Sequence, residues 1–172
     1  DNTRLSKLFK DLEFRQLQQD FPKRSDLSNK NYRAIFDMSA LFDLIGRLET
    51  AEIFAIDTET TSKNPMKASL VGLSFSMKPD EAFYIPCAHD YPEAPKQLGL
   101  KKVLSQLKPV LENPDIKKIG QNIKYDWIVL KRHGVNLSGV IFDTMLASYL
   151  INPSNGHTTW IRSLSIFWIT KR

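Results

Sequence analysis

The sequence is short of cysteine and of long apolar runs. Cys87 is the single cysteine among 172 residues, so the chain cannot form an internal disulfide, and a reducing, cytoplasmic location is expected. No apolar stretch approaches the roughly 20 residues that cross a bilayer. The N-terminal segment DNTRLSKLFK lacks the apolar core of a signal peptide. These absences exclude a disulfide scaffold and predict no membrane partner.

Several motifs of common enzyme sites are also missing. The sequence has no glycine-rich phosphate loop, no Cys/His metal cluster and no internal repeat. His133 and His157 lack metal-ligand spacing, and no histidine is placed to activate Cys87. Acidic residues stop at Asp143, which leaves the last 29 residues without a carboxylate side chain. Any acid-based chemistry must therefore come from the first 143 residues.

The net charge of +5 favours a nucleic-acid partner only weakly, because of where the charge lies. Residues 1–30 carry seven basic and five acidic side chains, and residues 157–172 carry three basic and no acidic ones. The part between them is neutral, with 14 of each sign. Charge alone does not mark this central part as a DNA-binding domain.

The chain divides into four segments by composition. Leucine and phenylalanine recur at helical spacing in the first segment, 1–21, and Pro22 ends that pattern. We expect 1–21 to be the end of a preceding unit, 22–31 a polar linker, 32–157 a folded domain and 158–172 an atypical tail. The tail contains two of the three tryptophans.

Hydrophobic periodicity within 32–157 predicts an α/β fold. The predicted element order is β-α-β-β-β-α-β-α-β-α. Three consecutive strands indicate an antiparallel meander, and the later alternation indicates parallel strands with crossover helices. We therefore predict a mixed central sheet flanked by helices.

Two acidic residues at the end of a predicted strand are the first candidate site. Asp57 and Glu59 stand two residues apart after the apolar run Ile53–Ile56, so both side chains lie on one face. Two such like charges are stable together when a cation such as Mg²⁺ lies between them. The alternative is that the strand simply ends in solvent, with both carboxylates hydrated.

The segment GQNIKYD, residues 120–126, is the second candidate. Gly120 ends a predicted strand, Asn122 begins a helix, and Asp126 lies near its N-terminus, where the helix dipole alone would favour a carboxylate. Asp143, in IFDTML, is predicted to cap the following helix.

Taken together, five segments resemble the 3′–5′ proofreading exonuclease domain of bacterial DNA polymerase I. They occur in the same order and at similar spacing: FAIDTET, LVGLSF, AFYIPCAHDY, IGQNIKYD and IFDTMLASYLIN. The resemblance covers roughly residues 32–157, and residues 1–21 look like the end of that polymerase's 5′ nuclease domain. It implies a ribonuclease H-like three-layer fold, incomplete at its C-terminus.

The resemblance also implies a site and a chemistry. Asp57, Glu59 and Asp126 match the carboxylates with which the family holds two divalent metals, Mg²⁺ or Mn²⁺, and catalyses hydrolysis. Five further residues match positions near the terminal nucleotides: Thr58, Thr60, Gln121, Asn122 and Tyr125. The implied substrate is a single-stranded or frayed DNA 3′ end, and the implied partner is the polymerase domain of the parent enzyme.

The chain departs from the family after residue 157. The family's third motif, a tyrosine three residues before an aspartate, has no counterpart here, and Lys63 stands where the family has a leucine. A reading-frame change would explain the tail, in which Thr159-Trp160-Ile161 can arise from shifted Asn-Met-Asp codons; a diverged C-terminus is the alternative. We therefore expect impaired exonuclease activity. A non-catalytic structural or DNA-binding module and an RNA-trimming exonuclease are the rival hypotheses.

Overall fold

The computed structural model describes residues 8–9 and 31–151. The chain divides into two units, Asp1–Lys30 and Asn31–Arg172. The predictions for 1–21, the linker and the tail therefore fall almost entirely outside the described residues. No described helix is long and apolar enough to cross a membrane.

Six strands and four helices form within residues 31–151, in the predicted order. They are β1 (Asn31–Ala34), α1 (Met38–Thr50), β2 (Ile53–Thr60), β3 (Leu70–Ser76), β4 (Glu81–Pro86), α2 (Leu100–Glu112), β5 (Lys117–Gly120), α3 (Ile123–Arg132), β6 (Val140–Asp143) and α4 (Thr144–Ile151). The predicted α/β class is confirmed.

One mixed sheet contains all six strands, in the order β1-β4-β3-β2-β5-β6. The meander β2-β3-β4 is antiparallel, and β5 and β6 add in parallel beside β2, as predicted. The parallel pairing of β1 with β4 has no signal in the sequence. It places the N-terminal strand at the edge of the sheet opposite β6.

The larger core lies on one face of the sheet. Phe54 and Ile56 of β2 point into it and meet buried residues of α1, α2 and α3. Local sequence sets the helix ends: the Asp37 carboxylate accepts the Ala40 N–H at 2.9 Å at the start of α1, and Gly134 takes φ +84° just past α3.

The opposite face of the sheet carries a smaller cluster. Ile53 and Ala55 of β2 pack with Ile119 and with the partly buried Phe142. Because side chains alternate along a strand, Asp57 and Glu59 point to this same face. The sheet thus presents the acidic pair away from the larger core.

Candidate active site

The acidic pair lies where β2 extends past its parallel neighbour. β2 pairs with β5 from Ile53 to Ala55 only, so the segment from Asp57 onward has an open edge on that side. The register with β3 shifts between Glu59 and Thr60, an irregularity that redirects side chains at strand ends. Glu59 is exposed and Asp57 is half-buried.

Helix α3 brings Asp126 to this open edge. β5 ends at Gly120, and Asn122 takes a left-handed conformation, φ +53° and ψ +42°, that starts α3. Asp126 follows in the first turns and is 2% exposed. Its Oδ1 accepts the backbone N–H of Thr58 at 2.9 Å and the Thr58 hydroxyl at 2.6 Å. The two sequence motifs therefore meet through Thr58.

Asp57 is repelled by both of the other carboxylates. Burial raises the pKa of Asp57 to about 7, and the negative charges of Asp126 and Glu59 add to the rise. Burial also raises the pKa of Asp126 to about 6, against the two hydrogen bonds from Thr58, which favour its ionised form. A cation at this place would relieve the repulsion, and carboxylate oxygens are the ligands that Mg²⁺ and Mn²⁺ prefer.

The ligand set is nonetheless incomplete in the part of the chain that the structure describes. Within it, no three carboxylate, imidazole or thiol side chains converge closely enough to hold a metal ion. The carboxylates thus have the right chemistry for a hard divalent cation but form only part of a site.

A cavity of about 400 Å³ is lined by the end of β2, the loop that follows it and the start of α3. The Tyr125 hydroxyl donates to the Ser62 carbonyl and also hydrogen-bonds the Thr60 hydroxyl, which fixes the loop after β2 against α3. The residues around the cavity are Thr60, Thr61, Ser62, Lys63, Asn122 and Tyr125. Three of the predicted substrate-binding residues, Thr60, Asn122 and Tyr125, thus line one cavity.

The other two predicted substrate-binding residues have contacts of their own. Thr58 is 7% exposed, and its hydroxyl is engaged by Asp126. The Gln121 amide oxygen accepts a hydrogen bond from the Thr144 hydroxyl at 3.2 Å. Thr58 thus links β2 to α3, and Gln121 links the segment before α3 to the start of α4.

Asp143 has a role that the sequence prediction covered only in part. As predicted, it caps its own helix: Oδ1 accepts the backbone N–H groups of Met145 at 2.8 Å and Leu146 at 3.2 Å. It also accepts the N–H of Asn122 and of Ile123, each at 3.0 Å. Since β5 and β6 are parallel neighbours, α3 and α4 both start at the same edge of the sheet. The predicted alternation of parallel strands and helices was the feature of the sequence from which this double cap could have been inferred.

Comparison with known proteins also finds similarity to 3′–5′ exonuclease domains. A family model described as 3′-5′ exonuclease matches residues 32–164, so the match continues past residue 157. DNA polymerase I of Pseudomonas aeruginosa is 38% identical over 161 residues, covering 86% of this chain and 18% of the relative. DNA polymerase I of Chloroflexus aurantiacus is 39% identical over 120 residues, covering 70% and 12%. The chain thus spans less than a fifth of either relative.

Solved structures share the architecture. One, titled "apo form of the nuclease", has a TM-score of 0.54 and 25% identity, covering 77% of this chain and 57% of that one. Trypanosoma brucei RNase D has a TM-score of 0.54 at 17% identity, covering 68% and 39%, which shows the fold alone. The ribonuclease H-like fold implied by the sequence is therefore confirmed. By the extent of the family match, the chain belongs to the 3′–5′ exonuclease domain family of the DNA polymerase I type.

Proposed function

We propose that this chain is a divalent-metal-dependent 3′–5′ exodeoxyribonuclease domain that acts on single-stranded or frayed DNA ends in proofreading. The observation that carries the proposal is that Asp126, fixed by two hydrogen bonds from Thr58, and Glu59 both lie near enough to Asp57 to raise its pKa, at the open edge of β2. The parent polymerase domain is the proposed partner, in the cytoplasm, with residues 1–21 as the end of a 5′ nuclease domain and 22–31 as the linker.

Asp57, Glu59 and Asp126 would hold Mg²⁺ or Mn²⁺, which supplies hydroxide by lowering the pKa of bound water and stabilises the departing 3′-oxygen. The chain's own residues prepare this place. Thr58 fixes the orientation of Asp126. Burial and the negative charges of Asp126 and Glu59 raise the pKa of Asp57 to about 7, and a bound cation would lower this pKa again by compensating those charges.

The cavity formed by the end of β2, the loop after it and the start of α3 is the proposed place of the 3′-terminal nucleotide. Its hydroxyl and amide groups, from Thr60, Asn122 and Tyr125, match the polar edges of a nucleotide. Gln121, which precedes Asn122 in the chain, is proposed to contact the same nucleotide. A mismatch lowers the cost of fraying an end into this cavity, and a paired end has to melt first. Selective removal of mismatched ends follows.

We further propose that residues 1–172 by themselves have impaired activity. They contain no acidic residue after Asp143, so the tyrosine–aspartate pair of the family's third motif is not among them. Three carboxylates that do not yet form a complete ligand set would bind a metal weakly. The incomplete ligand set also favours the rival proposal, a DNA-binding module without catalysis.

Calorimetric titration with Mn²⁺ tests the proposal. We expect weak binding that Asp57→Asn and Asp126→Asn each remove, whereas Asp115→Asn, an exposed acid in the loop before β5, leaves it unchanged. Binding that is indifferent to Asp57 and Asp126 would contradict the proposed metal site.

A second assay addresses catalysis. The chain is incubated with labelled single-stranded DNA and Mn²⁺, and a matched RNA oligonucleotide tests the RNA-trimming alternative. We expect slow release of deoxynucleoside monophosphates that Asp57→Ala abolishes. Fast release that depends on Asp57 would refute the impairment, and no release together with metal binding would favour the binding module.

A further inference from the structure

Two of the segments that resemble the exonuclease family, LVGLSF and AFYIPCAHDY, bring further residues to the face of the sheet that carries Asp57 and Glu59. Gly72 of β3 lies directly opposite Glu59 of β2, and Ser74 lies opposite Asp57. Tyr84 of β4 in turn lies opposite Ser74. Directly opposed residues of antiparallel strands share a face, so Tyr84 and the acidic pair are on the same side.

The Tyr84 ring lies across Gly72. A Cβ atom on Gly72 would be only 2.1 Å from the Tyr84 hydroxyl oxygen, so the phenol fills the space that any other residue's side chain would take. Burial raises the pKa of Tyr84 to about 12, and the nearby Glu59 charge adds to the rise. Because Gly72 is paired with Glu59, the phenol that lies over Gly72 is on the Glu59 side of the sheet.

His89 fixes this phenol in place. Its Nε2 hydrogen-bonds the Tyr84 hydroxyl. The backbone of His89 is held in turn by Gln97, whose Oε1 accepts the His89 N–H at 2.9 Å and whose Nε2 donates to the His89 carbonyl at 2.8 Å. The loop after β4 is thus tied down at the point where it meets the sheet.

Tyr91 continues the series of rings outward. The His89 ring is 5.9 Å from the Tyr84 ring and 5.9 Å from the Tyr91 ring, centroid to centroid. Tyr91 is 53% exposed. We call these three residues, Tyr84, His89 and Tyr91, the aromatic row; it begins beside Glu59 and ends in solvent.

The loop that carries the aromatic row offers no cation to a phosphate. No lysine or arginine occurs from residue 79 to residue 95, and Asp90 and Glu93 are exposed in the same loop. Aromatic side chains stack nucleobases of any sequence, because every base has a π-face. A single strand that reaches the carboxylates along this side would therefore make its contacts here through the rings and its bases, not through its phosphates.

We propose that the aromatic row is a second nucleotide subsite, which stacks an internal base of the single strand whose 3′ end lies at the carboxylates. Tyr91 contacts the base, and Tyr84 and His89 are positioning residues that set the loop and its rings beside Glu59. The subsite rests on the proposed function, since its ligand is the strand that enters that site.

Binding of thymidine oligomers of different length tests the subsite. The probes are thymidine 5′-monophosphate and phosphorothioate-linked thymidine oligomers of two, four and eight units, which resist hydrolysis, with Mn²⁺ present. We expect Tyr91→Ala to leave the affinity for the mononucleotide unchanged and to weaken oligomer binding at least about fivefold. Tyr149→Ala, an exposed tyrosine of α4, is the matched control.

Photo-cross-linking provides a readout that does not depend on a variant. Oligomers carry 5-iodouracil either at the 3′ end or at the second or third position. We expect adducts on Tyr91 or His89 from the internal positions only.

The outcomes separate the subsite from the proposed function. Oligomer binding that depends on Asp57 but is equal in the Tyr91 and Tyr149 variants would overturn the subsite alone. The subsite alone would also be overturned if Tyr91→Ala weakened the binding of mononucleotide and oligomer equally, or if cross-linked adducts formed only from the terminal position. If neither mononucleotide nor oligomer binds the wild-type chain, the proposed function and the subsite both fail.

Discussion

Replacing Thr58 by valine tests the contact that joins the two acidic motifs. The substitution keeps the branched shape of the side chain and removes only the hydroxyl that donates to Asp126 Oδ1 at 2.6 Å. Both residues are buried, at 7% and 2% exposure. Hydrogen bonds to charged groups contribute about 1.5–3 kcal/mol, so we expect the free energy of unfolding to fall by about 2 kcal/mol.

The expected loss corresponds to a melting temperature lower by about 4–8 °C for a domain of this size. The assay is urea unfolding at pH 8 in EDTA, followed by tryptophan fluorescence, since Trp127 adjoins Asp126 in the sequence. Thr50→Val is the matched control: this exposed hydroxyl donates to the Gly46 carbonyl at 3.1 Å, and we expect a change within about 0.5 kcal/mol.

A double-mutant cycle isolates the pair. With Asp126→Asn as the second change, we expect an interaction energy between Thr58 and Asp126 of about 1.5–3 kcal/mol. If Thr58→Val costs no more than Thr50→Val, or if the two changes are additive, the reasoning that Thr58 fixes Asp126 is wrong.

Three further predictions concern the surroundings of the site. Asp143→Ala should cost about 2 kcal/mol and speed amide exchange at Asn122 and in the first turn of α4, because four N–H groups lose one acceptor; unchanged exchange at Asn122 would refute the double cap. Gly72→Ala should displace the Tyr84 ring, seen as altered tyrosine ring signals in NMR, at a cost of about 1–3 kcal/mol that Tyr84→Ala largely removes; an unmoved ring would contradict it. Burial lowers the pKa of Lys118 to about 8, so between pH 8 and 10.5 the unfolded chain binds more protons at this residue than the folded chain does. The stability of the wild type should therefore rise over this window relative to Lys118→Met, by at most about 3 kcal/mol. Parallel stability curves for the two proteins would refute this prediction.

Local patterns accounted for most of the fold. The order of strands and helices, the antiparallel meander and the later parallel strands all follow from hydrophobic periodicity and from the rule that adjacent strands pair and crossovers are parallel. Gly134 shows why helix ends were also predictable: its φ of +84° suits glycine, and the residue follows the last periodic position of α3. The pairing of β1 with β4 was not predictable, because it joins strands about 50 residues apart with three other elements between them.

The sequence by itself determined which chemistry is available. It supplies Asp57, Glu59 and Asp126 in motifs that identify the family, and among its 172 residues the last acid is Asp143. These are properties of residue type and spacing, which need no coordinates.

The tertiary structure decided how these residues work together. Thr58 donates to Asp126, Asp143 accepts from the start of α3, and the Tyr84 phenol lies over Gly72, which is paired with Glu59. Each of these arrangements joins residues at least 12 positions apart in the chain, which meet only because strand order and register bring them to one edge or one face of the sheet. Periodicity specifies which face a side chain takes, but only the pairing of strands specifies what it meets there.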